Sequence, residues 1–122
     1  MYKFSKNSLD NLKGIDTRLI IMAGLMLDAS VYDFVVTEGL RTVERQKFLV
    51  SKGKSQTMNS KHIIGKAFDI AILVDGKANW EYKHYKAFAD DFKRIAKFLN
   101  FNVTWGGGWH SFVDCPHFQI ND

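Results

Sequence analysis

Residues 60–74 read "SKHIIGKAFDIAILV", and the second half of that stretch decides the fold. In an extended chain side chains alternate, so Phe68, Ile70, Ile72 and Val74 share one face while Ala67, Asp69, Ala71 and Leu73 share the other. Residues 67–74 are therefore expected as a strand, bulky on one side and carrying a single carboxylate among small and apolar neighbours on the other. An ionised carboxylate left unpaired in such a place costs several kcal/mol. Asp69 should therefore be neutralised by a partner, exposed at a strand end, or bound to a metal. The plainest of these is an aspartate at a sheet edge with a backbone or arginine partner.

Working outward, Asp75 and Gly76 turn the chain as a hairpin signal, and the polar, glycine-flanked "GKSQTMNSKHIIG" (53–65) reads as a loop. Downstream, Tyr82, Tyr85, Phe88, Phe92, Ile95, Ala96 and Leu99 fall three or four apart, which predicts a helix from Tyr82 to about Leu99. "FNVTW" (101–105) reads as a strand broken by "GGG" (106–108), and "HFQI" (117–120) as a last short strand. Upstream, Asp16 or Thr17 caps a helix over roughly 17–30 whose core stripe is Leu19, Ile20, Met22, Ala23, Met26 and Leu27. "YDFVVTEG" (32–39) reads as a strand stopped at Gly39, "TVERQKFLVSKG" (42–53) as a short helix, and Arg41 lies at their joint. Helices mixed with short strands and hairpins, without regular βαβ units, imply an α+β fold: a small antiparallel sheet packed with helices.

At 122 residues the chain is expected to be one domain, 1–122, too short for two ordinary ones. The 46% hydrophobic and 25% charged composition is that of a soluble protein, and the longest apolar run, "LIIMAGLML", is too short to span a bilayer. The opening "MYKFSKNSLDNLKGID" lacks the features of a secretory signal, so synthesis is expected to end in the cytoplasm. Cys115 is the single cysteine and excludes an internal disulfide. A net charge of +4 favours anionic partners, but no Lys/Arg cluster with interleaved aromatics marks a nucleic-acid surface.

Two further features bear on Asp69. His62 lies seven residues upstream, with Gly65 between them able to reverse the backbone, and "DCPHF" supplies Asp114 and His117 beside a strand. Two histidines and one aspartate make a workable tetrahedral zinc set that leaves a fourth position open, the catalytic arrangement. Pro116 disfavours a helix at Cys115, so a turn there must bring Asp114 and His117 to one side. His117 is assigned as the ligand and Asp114 is left free, because a metal-bound Asp114 would leave no general base.

With these residues in place the chain resembles the zinc D,D-carboxypeptidase and L-alanyl-D-glutamate endopeptidase family, particularly its small phage endolysins. The pattern S-x-H-x-x-G-x-A-x-D is matched by Ser60, His62, Gly65, Ala67 and Asp69, and D-x-x-H by Asp114 and His117. "TEGLRTVERQ", "FVDCPHFQ" and "WGGGW" add to the likeness, which runs from about Ser8 to Gln119. The resemblance implies a hedgehog/D,D-peptidase-like fold and one zinc per chain, on His62, Asp69 and His117. It makes Asp114 the catalytic acid or base, Arg41 a residue near the substrate and the developing oxyanion, and Ser60 a substrate hydrogen-bonding group. It implies cleavage of the L-alanyl-D-glutamate bond in peptidoglycan stem peptides by a monomeric phage endolysin. Such an enzyme reaches the wall after a partner permeabilises the membrane; with no separate cell-wall-binding domain expected in 1–122, a thin wall of the Gram-negative type is expected. The alternatives are a D-alanyl-D-alanine carboxypeptidase and a non-catalytic module on the same zinc scaffold. Asp114 stands where the carboxypeptidases generally carry Glu, and Gly108 stands where an acidic residue is usual.

Other residues have plainer readings. Cys115 is read as a packed thiol rather than a nucleophile, and His84 as a surface or boundary residue. Trp105 and Trp109 either line a groove or pack against the glycine turn, Gln46 either orients Arg41 or faces solvent, and His110 is given no ligand role.

Overall fold

A computed structural model describes residues 3–30 and 32–122. Its elements run α1 (Lys6–Leu12), α2 (Thr17–Ala29), β1 (Asp33–Glu38), α3 (Val43–Ser51), β2 (Ala67–Val74), β3 (Lys77–Asn79), α4 (Tyr82–Leu99), β4 (Asn102–Trp105) and β5 (His117–Asn121). The strands form one antiparallel sheet in the order β1-β2-β5-β4, with β3 hairpinned onto the end of β2. Asp75 and Gly76 both take positive φ, 53° and 78°, as the tight turn between β2 and β3 requires. The alternation read from 67–74 holds. Phe68, Ile70 and Ile72 are fully buried against Phe34, Phe88, Phe92, Phe118 and Ile120, under α2 and α4. Ala67 and Ala71 are buried on the opposite face, leaving room there for Asp69.

Two expected core positions turn outward. Ile20 is exposed because α2 buries only the stripe through Leu19, Met22, Ala23, Met26 and Leu27. Tyr82, in the first turn of α4, is exposed and leans on the Trp105 ring, with centroids 5.7 Å apart. Helix α1 has no counterpart in the periodicity. It is about two turns long, buries only Ser8 and Leu12, and offers no apolar stripe to read. Its purpose is polar: the Val36 amide donates to Ser8 Oγ (2.9 Å) and the Val36 carbonyl accepts from Asn11 Nδ2 (2.8 Å). These bonds satisfy the outer edge of β1 where its register slips between Val36 and Glu38, and they close that edge to further pairing.

Asp16 caps α2, its carboxylate accepting from the Arg18 amide (2.9 Å) and gripping the Arg18 guanidinium at 2.9 and 2.8 Å. Those bonds to Arg18 pull its pKa down to about 2. A carboxyl with a depressed folded pKa stabilises the fold above its unfolded pKa and loses that contribution as pH falls through the folded value. Asp16→Ala is expected to lower unfolding free energy by about 0.5–2 kcal/mol at pH 7. The gap between variant and parent should close as pH falls from about 4 to about 2 in urea melts.

Candidate metal centre

The sheet register places the chemistry. Asp69 on β2 lies opposite Glu38 on β1 and opposite His117 on β5, so the three form one row across neighbouring strands, facing away from the core. Directly opposed residues in an antiparallel pair hold their side chains within contact of each other.

His62 comes from the loop before β2. Ser60 Oγ accepts from the His62 amide (3.2 Å), Gly65 takes φ 71°, and the His62 carbonyl receives the Arg41 amide at 2.9 Å. A side chain at Gly65 would be strained at that φ and would also meet the Gly14 carbonyl at 2.8 Å. The turn returns the chain so that the buried His62 ring stands beside Asp69, with Nε2 at 3.0 Å from Oδ1.

Both imidazoles have their outer nitrogens committed. His62 Nδ1–H donates to the Gly39 carbonyl (2.8 Å) and His117 Nε2–H to Gln119 Oε1 (2.7 Å). The Gln119 amide is itself oriented, because its Nε2 donates to Asn121 Oδ1 at 3.1 Å. The inner atoms, His62 Nε2, His117 Nδ1 and Asp69 Oδ1, are then lone-pair donors that converge at 3.0, 3.2 and 3.4 Å from one another. Three such atoms repel unless a proton or a cation lies among them. Ligands about 2.0–2.1 Å from a tetrahedral ion are separated by about 3.3 Å, so the spacing fits such an ion without rearrangement. Second-partner bonds of this kind are what fix ligand histidines.

The charges agree. Burial opposes ionisation of Asp69, yet hydrogen bonds with His117 and His62 outweigh it and hold the carboxyl far below the usual range. Burial likewise opposes a charged His117, and the hydrogen bond to Asp69 outweighs it, raising the His117 pKa. The pocket thus favours a positive charge at its centre, which a divalent ion supplies more fully than a proton.

Asp114 reaches the same place by the turn at Cys115 and Pro116, closed by the His117 amide on the Asp114 carbonyl at 3.1 Å. The glycines of residues 106–108 hold that turn. The Asp114 amide donates to the Gly106 carbonyl (3.0 Å), and Trp105 Nε1 donates to the Cys115 carbonyl at 2.7 Å. A Cβ on Gly106 would meet the Asp114 carbonyl at 2.4 Å, and one on Gly107 would enter the Trp105 ring at 2.1 Å, whereas one on Gly108 meets nothing within 4 Å. Gly106→Ala should therefore displace Asp114 and His117, weakening metal binding at least about tenfold by competition with a chromogenic chelator. Gly108→Ala should bind as the parent does.

Asp114 lines the cleft, and its carboxylate has no hydrogen-bond partner among the described residues. Burial first, and then the Asp69 charge, raise its pKa above the ordinary carboxylate value. Arg41, also buried, gives Nε and Nη2 to Glu38 at 3.0 and 2.5 Å and Nη1 to Gln46 at 2.8 Å, with Nη2 3.7 Å from Asp69 Oδ2. Ser60, Arg41, Asp114 and the three converging residues all line one cleft of about 480 Å³, whose walls include residues 54–57 and 59–61 together with Trp109, Ser111 and Phe112.

A model of the phage L-alanyl-D-glutamate peptidase family matches residues 1–119. The chain belongs to that family. It is 34% identical over 124 residues to the L-alanyl-D-glutamate peptidase of Listeria phage A118, covering 98% of this chain and 42% of the relative. It is 32% identical over 117 residues to the L-alanyl-D-glutamate peptidase of Escherichia phage T5, covering 93% of this chain and 85% of that one. Among solved structures, the Serratia marcescens L-Ala D-Glu endopeptidase ChiX superposes with a TM-score of 0.89 at 36% identity, over 98% of this chain and 90% of that one. The chain thus spans less than half of the Listeria phage relative and most of the other two.

Within this phage L-alanyl-D-glutamate peptidase fold, the remaining residues separate cleanly. Trp105 is buried packing for the glycine turn, while Trp109 tilts over His117 with ring centroids 5.1 Å apart. His110 is exposed, and His84 is half-buried, bonded to the Tyr32 hydroxyl at 2.9 Å. Cys115 packs against the core, and burial, then the Asp114 charge, raise its thiol pKa, which suppresses the nucleophilic thiolate. Two residues bonded to the candidate site's functional side chains, Glu38 on Arg41 and Gln119 on His117, carried no sequence assignment. Gln119 could have been found, since it lies two residues from His117 on one strand face; Glu38 needed the β1–β2 register.

Proposed function

We propose that this chain is a zinc-dependent endopeptidase that cuts the L-alanyl-D-glutamate bond of peptidoglycan stem peptides, in the role of a phage endolysin. The observation that carries this is the convergence of His62, Asp69 and His117 on the floor of a cleft that also holds Asp114 and Arg41. The names of the phage relatives and of the Serratia enzyme support the bond and the lysis role.

When bound by His62, Asp69 and His117, the zinc ion supplies Lewis acidity, polarising the amide carbonyl and making water easier to deprotonate. Asp114 takes the proton from the attacking water, for which its raised pKa and lack of a competing partner suit it. Arg41, held flat by Glu38 and Gln46, turns its remaining N–H groups to the oxyanion that develops on the carbonyl. Asp114 then returns the proton to the leaving amine, and no covalent intermediate is formed. Ser60 offers its hydroxyl to the substrate backbone from the cleft wall.

Residues 1–122 act as one catalytic unit, one ion per chain, on a wall reached after the membrane has been opened. Among the described residues no helix is long and apolar enough to cross a membrane. Digesting purified sacculi with and without a chelator, and reading the new termini by mass spectrometry, tests the proposal. New L-alanine carboxyl and D-glutamate amino termini that disappear with chelator support it; release of terminal D-alanine alone would replace it with a carboxypeptidase.

A further inference from the structure

Gln46 is a fully buried polar side chain whose amide spans two parts of the cleft. Its Oε1 accepts from Arg41 Nη1 at 2.8 Å, and its Nε2 donates to the Thr57 carbonyl at 2.6 Å and to Ser55 Oγ at 2.8 Å. The orientation of the amide is forced, because a guanidinium only donates and a carbonyl only accepts. The oxygen must face Arg41 and the nitrogen Thr57.

The wall that Gln46 holds has little else beneath it. Residues 52–59 are exposed apart from the half-buried Ser55, and none pairs with the sheet. Their own backbone bonds are local: the Lys54 and Ser55 amides to the Leu49 carbonyl, and the Asn59 amide to Thr57 Oγ1. Helix α3 thus carries, on one buried residue, both the lateral support of Arg41 and the tether of the substrate-facing wall.

Building on the peptidase reading, we propose that Gln46 is a positioning residue that couples the two: the same amide sets where the wall meets substrate and where the Arg41 guanidinium points. Gln46 touches neither substrate nor metal; it acts through Arg41 and through residues 55–57.

Three variants separate the halves. Gln46→Glu keeps an acceptor for Arg41 but cannot donate to the Thr57 carbonyl. It should raise KM about tenfold, the scale of losing one or two buried hydrogen bonds, and change kcat less than about threefold. Gln46→Met, similar in volume and without polar atoms, releases Arg41 as well and should lower kcat by about 10²-fold, the scale of a misplaced catalytic group. Ser55→Ala leaves the Arg41 bond intact and folds without burying anything new, so it should show a smaller KM rise alone. In all three, hydrogen exchange at the Lys54, Ser55 and Asn59 amides should quicken while zinc content stays at one per chain. A wild-type KM in Gln46→Glu, or unchanged exchange in these amides, would overturn the proposal. Were the parent inert on stem peptides, the peptidase reading would fall, while the exchange comparison would still decide whether Gln46 holds the wall.

Discussion

Asp114→Asn is expected to lower kcat by about 10²–10⁴-fold while the protein still binds one metal ion and melts close to the parent temperature. Asparagine matches the shape of aspartate but cannot accept the proton, and the Asp114 side chain makes no hydrogen bond that the fold depends on among the described residues. The pH dependence follows from the raised Asp114 pKa. A base works when deprotonated, so raising its pKa moves the acid limb of the kcat/KM profile to higher pH than an ordinary carboxylate would give. Protons also compete for His117, whose pKa is raised, so the same samples must be assayed for bound metal. An acid limb above the ordinary carboxylate range with metal fully retained belongs to Asp114. Undiminished turnover by a folded, metal-loaded Asp114→Asn protein would remove Asp114 from its role.

His117→Ala should be the more severe change, with hydrolysis falling about 10³-fold or more and stoichiometric metal binding lost in equilibrium dialysis. The ring supplies one of three converging donors and is also the cross-strand partner of Asp69. Its removal leaves two donors, too few to hold an ion against solvent. Gln119→Leu makes a graded companion. It removes the acceptor that holds the His117 Nε2–H, leaves every direct donor in place, and should weaken metal affinity by about 10–100-fold. If His117→Ala retained tight metal while Gln119→Leu lost it, the donor set would be misassigned.

Most of the architecture could be read from local patterns because the elements that build it are amphipathic. The helix from Tyr82 to about Leu99 was readable because its apolar positions recur over five turns, and β2 from a short apolar run with one anomalous acid. What escaped was held by polar contacts between distant segments. Helix α1 has no stripe and exists to satisfy Val36 through Ser8 and Asn11. The candidate site divides the same way. The acidic and imidazole side chains that converge are conspicuous by residue type, and Pro116 marks the turn between Asp114 and His117. Glu38 depends on the β1–β2 register, and the buried state of Gln46 on how α3 meets the loop at 55–57, neither of which spacing encodes.

The most direct measurement is a crystal structure of the zinc-loaded protein with anomalous data collected on both sides of the zinc edge. The expected result is one strong peak bonded to His62 Nε2, His117 Nδ1 and Asp69 Oδ1 at about 2.0–2.2 Å, with the fourth position facing the cleft beside Asp114. A fully loaded protein whose zinc peak lies elsewhere, with those three side chains turned apart, would contradict the account.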